Sequence, residues 1–169
     1  MSHAKNKMDW CLKKAERELK EEGKHRGLVR IEPDIEKARK HILKAEHYLK
    51  ATDYLKKGNF SDISISTIFY AMYHCLLAIA VKFGYNSRNQ ECTFALMYSL
   101  IEDGKLNLDE ETLRKISVLD IKNKEEPVTI EKREFYQYET ELSIKDGRLY
   151  KELFELAQEI ISKAKDIIG

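Results

Sequence analysis

Between Ser61 and Gly84 the chain holds a helical run with almost no polar face. Ile65, Ile68, Phe69, Met72, Cys75, Leu76, Ile79 and Ala80 spread around its whole circumference. A helix that is apolar on every side must be covered on every side, so the run predicts the centre of a helical bundle, with Ser61 as its N-cap. The most apolar stretch, Ile68 to Val81, is interrupted by Tyr73 and His74 and is shorter than the roughly 20 residues a bilayer requires, which predicts no membrane association.

The flanking sequence supplies the covering helices. Met8, Leu12, Ala15 and Leu19 recur on one face of a run from Lys5 to Glu22. Pro33 opens a second run, whose Ile35, Ala38, Ile42, Ala45, Leu49 and Thr52 form a seam of near-heptad spacing. A fourth, from Gln90 to Asp103, turns Phe94, Met97, Tyr98 and Ile101 inward, and a fifth starts near Asn107, where Asn107 and Glu110 have capping-box spacing, and fades by Asn123. The last carries Leu149, Leu153, Leu156, Ile160, Ala164 and Ile167. Gly23, Gly58, Gly84 and Gly104 close the periodic runs, as residues tolerant of positive φ do. From Lys124 to Ile144 the pattern changes: Pro127 breaks any helix, and Tyr136, Tyr138, Thr140, Leu142 and Ile144 alternate with mostly polar residues. The predicted fold is all-α, an antiparallel up-and-down bundle of five or six main helices with an irregular or strand-like arm near 124–144. No internal repeat or linker divides the chain, so residues 1–169 are read as one domain, with the helix at 5–22 able to pack as an extension.

Charge excludes a global attraction to nucleic acid, because 30 basic residues face 29 acidic ones. Any nucleic-acid site must be a local patch. Lysine supplies 22 of the basic residues and arginine 8, a surface composition common in heat-adapted proteins. Cys11, Cys75 and Cys92 are odd in number, far apart and set among apolar neighbours, and all three are read as buried thiols of a cytoplasmic protein. No segment has the pattern of a signal peptide.

The segment Ser66-Thr67-Ile68-Phe69-Tyr70-Ala71-Met72-Tyr73-His74-Cys75-Leu76-Leu77-Ala78 resembles the central helix of prokaryotic HEPN proteins. The likeness includes the turn Gly58-Asn59-Phe60 before it and Phe83-Gly84-Tyr85-Asn86-Ser87-Arg88 after it, and extends over most of residues 33 to 169. The resemblance implies a helical bundle that forms a homodimer and pairs with a small nucleotidyltransferase-like protein, as in toxin and antitoxin systems. Active members of that family cleave RNA with an arginine followed, after about four to six residues, by a histidine: the guanidinium grips phosphate while the imidazole moves a proton. No arginine here is followed by a histidine at that spacing; Arg39 and His47, for instance, are eight positions apart, and no histidine occurs after His74. Lys122 and Asn123 fall where the family's motif begins, with Pro127, Val128 and Thr129 beyond them. Lysine neutralises phosphate but lacks the planar fork.

Ser66, Tyr70 and His74 recur every four residues and form the only polar stripe on the central run. Either a ligand lies over that stripe, or Tyr70 and His74 satisfy one another or backbone groups at a helix contact. Arg88, beside Ser87 and Gln90 at capping-box spacing, marks a second candidate, where a helix start either receives a phosphate or is plainly capped. His41 and His47 lie about 600° apart around a helix and make no joint metal site. No Cys-x-x-Cys, His-x-x-x-His or glycine-rich phosphate loop is present, so no metal and no cofactor is expected. Trp10 is read equally as a core or an interface residue.

The expected function is that of a non-catalytic HEPN-like binding and dimerisation module, engaging a nucleotidyltransferase-like protein or a nucleotide. The candidate ligand-binding residues are Ser66, Tyr70, His74, Arg88, Lys122 and Asn123. The alternative is a divergent, metal-independent ribonuclease using Lys122, Arg133 or His74.

Overall fold

The computed structural model describes residues 2–119, 143–144 and 147–169. Among them are six helices, α1 (His3–Glu22), α2 (Ile35–Lys57), α3 (Ser61–Lys82), α4 (Gln90–Glu102), α5 (Glu110–Ser117) and α6 (Gly147–Ile168), and two short strands, β1 (Leu28–Arg30) and β2 (Tyr85–Ser87). The all-α bundle predicted from periodicity is the observed fold. Lys122, Asn123, Arg133 and nearly all of the arm at 124–144 lie outside the described residues.

α3 is the centre, as its uniform apolarity demands. Ile68, Met72, Cys75, Leu76, Ala78 and Ala80 are fully buried. It is also the one helix among the described residues long and apolar enough to cross a membrane, yet 67% of its most apolar window is buried inside the bundle. α2 packs antiparallel along it, because the turn Gly58-Asn59-Phe60 reverses the chain; Asn59 takes the left-handed conformation at φ 65°. Ala38 and Ala45 on α2, fully buried, keep the side chains on its inner face short. Hydroxyls at the contact are satisfied within it: Thr52 Oγ1 and Thr67 Oγ1 are 2.7 Å apart, and Thr52 also donates to the Tyr48 carbonyl at 2.9 Å.

α6 covers α2 and α3 with Tyr150, Ala157, Ile160, Ile161, Ala164 and Ile168. An ion pair between Lys165 and Glu46 and a bond from Lys82 Nζ to the Ile168 carbonyl fix its far end. The start of α3 departs from expectation. Ser61 is not its N-cap but its first residue, and its Oγ instead accepts from the Ile144 amide at 2.8 Å. Two other caps are displaced similarly: Asn89 rather than Ser87 caps α4, and Asp109 rather than Asn107 caps α5, which ends at Ser117. In each case a side-chain oxygen three residues before an orphan N–H wins the position.

The strands were not anticipated. β1 and β2 pair antiparallel, Leu28 with Ser87, Val29 with Asn86 and Arg30 with Tyr85, tying the approach to α2 to the loop leaving α3. Gly84 makes this possible: at φ 81°, its Cα lies so close to the strand that a Cβ would sit 2.9 Å from the Ile31 carbonyl oxygen.

α1 stands apart from this layer and packs on α4 and β1. Here the cysteine reading is corrected. Cys11 and Cys92 form a disulfide, with Cα atoms 5.9 Å apart, and only Cys75 is a free, buried thiol. The partners are 81 residues apart in sequence, so nothing short of the docking of α1 on α4 reveals the pairing. The face drawn for α1 is rotated slightly: Cys11 and Ala15 are buried, while Leu19 is 41% and Trp10 51% exposed.

Candidate functional site

The chemistry-bearing side chains gather along the outer seam where α2 meets α3. On α2, the residues just beside the buried Ile42 and Ala45 are His41, Lys44 and Tyr48, spaced at three and four so that they share one edge of the helix. On α3, the residues that are not buried are Asp62, Ile63, Ser66, Thr67, Tyr70, His74, Leu77 and Lys82, of which Ser66, Tyr70, His74 and Leu77 recur at helical spacing along one edge. Antiparallel packing places these two edges side by side.

The rings interlock. Tyr48 stacks on Tyr70 with centroids 5.6 Å apart and on His74 with centroids 5.5 Å apart. His41 and His74 bring their Nδ1 atoms to 3.1 Å, with ring centroids 5.4 Å apart. That centroid separation is close to the largest this nitrogen distance allows, so the two Nδ1 atoms face each other head-on. One ring donates N–H and the other accepts, which leaves one Nε2 as an acceptor and the other as a donor. Lys44 Nζ lies 5.3 Å from the Tyr48 ring centroid, a cation–π contact.

Protonation is disfavoured at both imidazoles. Burial, then the neighbouring His41 and Lys44, push His74 down to about 4. Burial and then Lys37 lower His41 as well. Among the described residues no carboxylate offsets either shift, and Lys37 and Lys44 give the seam a cationic rim. With its proton affinity lowered and its Nδ1 engaged by another imidazole, His74 is poorly suited to the role of a cationic general acid near neutral pH.

Of the residues singled out from sequence, Tyr70 and His74 are brought together, though not by bonding each other: the ring of Tyr48 bridges them. Ser66 sits one turn away on the same stripe, half-buried. Arg88 belongs to a different place. It is exposed at the β2–α4 connection, where its amide donates to the Gly27 carbonyl at 2.9 Å. The residues missed were His41, Lys44 and Tyr48. His41 shares α2 with His47 but meets His74 across the helical hairpin. The short Gly58-Asn59-Phe60 turn carried the signal, since residues at similar distances on either side of a tight helical hairpin must meet.

Away from the seam, a groove of about 540 Å³ between α5 and α6 has an apolar floor of Val118, Leu119, Leu149, Leu153 and Leu156, with the charged residues Arg114, Lys115, Glu152, Glu155 and Glu159 also lining it. Among the described residues no group of three or more metal-ligating side chains converges. No protein-family model matches the chain, and no curated protein matches it.

Proposed function

We propose that this chain is a non-catalytic, HEPN-like binding and dimerisation module whose working surface is the α2–α3 seam. One observation carries the reading: the middle of the central helix, otherwise buried, leaves Tyr70, His74 and Leu77 uncovered beside Tyr48, an edge that is aromatic and apolar rather than charged. Tyr70 is 40% and Ile63 48% exposed, beside half-buried Tyr48, His74 and Leu77. A contiguous exposed patch of this kind on a soluble bundle is characteristic of an interaction surface. Its apolar part suits a second copy, and symmetric pairing is the commonest soluble assembly. The lysines on its rim suit a nucleotide or the acidic surface of a nucleotidyltransferase-like protein.

The ribonuclease alternative is less well supported. Neither imidazole is bonded by an arginine among the described residues, and His74 lacks the proton affinity the reaction needs near neutrality.

Light scattering across a concentration series tests the dimer, with Tyr70→Asp as the interface variant. A dimer that becomes monomeric in the variant, with an unchanged helical spectrum, is the expected result. A wild-type chain that stays monomeric at high concentration and gains no thermal stability from AMP or ATP refutes the proposal. A saturating nucleotide, at a hundredfold excess over Kd, adds about 2.7 kcal/mol. RNA cleavage that disappears in His74→Ala overturns the non-catalytic part.

A further inference from the structure

We propose that the Cys11–Cys92 disulfide is a redox latch: reduction by a dithiol releases α1 as an arm, hinged between Gly23 and Gly27, while the rest of the bundle stays folded.

The first support is how little else holds α1. Of its twenty residues only Cys11 and Ala15 are buried, and Cys11 is the bonded one. Met8 and Leu12 add partial packing. The remaining ties to α4 are polar and peripheral: Lys5 to Asp103, Lys7 to Glu91, and Ser2 to Glu102. Ion pairs of this exposure contribute little. Apart from its contact with β1 and the bond from the Arg26 amide to Glu18 at 2.7 Å, the docked position of α1 depends on the covalent bond.

The second support lies in the hinge. His25 is 6% exposed, and its Nδ1 is the one buried side-chain polar atom left without a hydrogen bond among the described residues. Burying an unsatisfied nitrogen opposes the docked state, and undocking returns it to water. Burial and the Arg88 guanidinium also lower its pKa, so the docked state resists protonation of this ring. Glycines bracket the segment. Gly23 ends α1 at φ 68°, and Gly27 lies so close under the helix that a Cβ would meet the Cys11 carbonyl oxygen at 3.0 Å. Beyond Gly27 the chain is secured by the β1–β2 pairing and fully buried Leu28, which limits the motion to residues before β1.

The chemistry balances. A dithiol's thiolate attacks one sulfur of the bond to give a mixed disulfide; its second thiol closes the reagent's own disulfide and leaves Cys11 and Cys92 as thiols. Two electrons and two protons pass to the protein. Because both sulfurs are buried, attack requires a transient lift of α1, and release then exposes the α4 face on which Cys92, Ala95 and Ser99 recur at helical spacing. Because the chain from Leu28 onward stays folded, the bond restrains only the tether of roughly 16 residues between Cys11 and β1, and its loss raises the undocking equilibrium on the order of a hundredfold.

The test uses the full-length oxidised protein, reduced with dithiothreitol, with alkylation after denaturation to count thiols. Hydrogen exchange is read peptide by peptide, and Trp10, the single tryptophan and the neighbour of Cys11, reports by fluorescence. The expected result is exchange faster by about a hundredfold or more in α1, unchanged protection in α2, α3 and α6, and recovery on reoxidation. Cys92→Ser behaves like the reduced protein whatever the redox state. Three results overturn the latch: α1 keeps its protection when all three cysteines are thiols, all helices lose protection together, or the bond survives a large excess of reductant under native conditions.

Discussion

Replacing His74 by glutamine should remove much of the acid sensitivity of this fold. A histidine whose native pKa lies near 4, against an ordinary 6.5, binds fewer protons when folded than when unfolded throughout that interval. Stability therefore rises with pH across it and falls as the pH drops from about 6.5 towards about 4. Between pH 7 and pH 5 the linkage removes about 2 kcal/mol if the whole displacement is expressed, and about 1 kcal/mol after discounting for the partial exposure of the ring. The causes are structural: burial against Tyr48 first, then the facing His41, then Lys44. His41 contributes in the same direction through burial and Lys37, and loses one of its neighbours in the variant. Urea denaturation of wild type and His74→Gln at the two pH values isolates the effect, because carboxylates elsewhere titrate alike in both proteins. The wild type should lose about 1 kcal/mol more than the variant at unchanged m value. Equal losses in the two proteins would refute the neutral, proton-sharing pair.

Three further perturbations follow from the packing. Leu76→Ala opens a cavity at a fully buried position on α3 and should cost about 3 kcal/mol, read as a lower urea midpoint at constant m value. Asp109→Ala removes the α5 cap, whose carboxylate accepts from both the amide and the hydroxyl of Thr112, and should cost about 1 kcal/mol. Because those bonds hold Asp109 down to about 2, against an ordinary 3.8, its contribution is whole above that ordinary value and is lost progressively as the pH falls from there through about 2, so the variant's deficit should be smaller at pH 3 than at pH 7 in denaturation measurements. Gly84→Ala forces a Cβ against the Ile31 carbonyl in a left-handed conformation and should lower stability by about 2 kcal/mol, measured by thermal melting.

The helices were legible because their signal is periodic and local. α3 announces its central place through the absence of a polar face, and α2 its antiparallel neighbour through the Gly58-Asn59-Phe60 turn. Features made by two distant segments were illegible for a matching reason. β1 and β2 are three residues each, too short for alternation to register, and exist because Gly84 lets one connection approach the other. Cys11 and Cys92 meet only once α1 has docked. The seam lies between these cases. Tyr70 and His74 were visible as a stripe, but their meaning depends on Tyr48 and His41, which carry no motif and join them through tertiary packing alone.

Net charge hides a local asymmetry that bears directly on the seam. Several charged residues on the exposed helical faces neutralise one another within their own helix, as in Lys14 with Glu18, Lys20 with Glu16, Lys151 with Glu155 and Lys163 with Glu159. Each such pair is worth only a few tenths of a kcal/mol, so their main consequence is to cancel field rather than to hold the fold. α2 differs along one edge. Its acidic residues Glu36, Glu46 and Asp53 are already taken by Arg39, Lys165 and Lys57. Lys37, Lys40 and Lys44, within two turns of His41, enter no ion pair among the described residues. A chain of nearly zero net charge thus keeps uncancelled cations beside its exposed aromatic stripe. Two effects then reinforce each other there: burial first, and then Lys37 at His41 and the facing His41 and Lys44 at His74, disfavour protons on the imidazoles, which leaves the lysines as the charges that a partner meets.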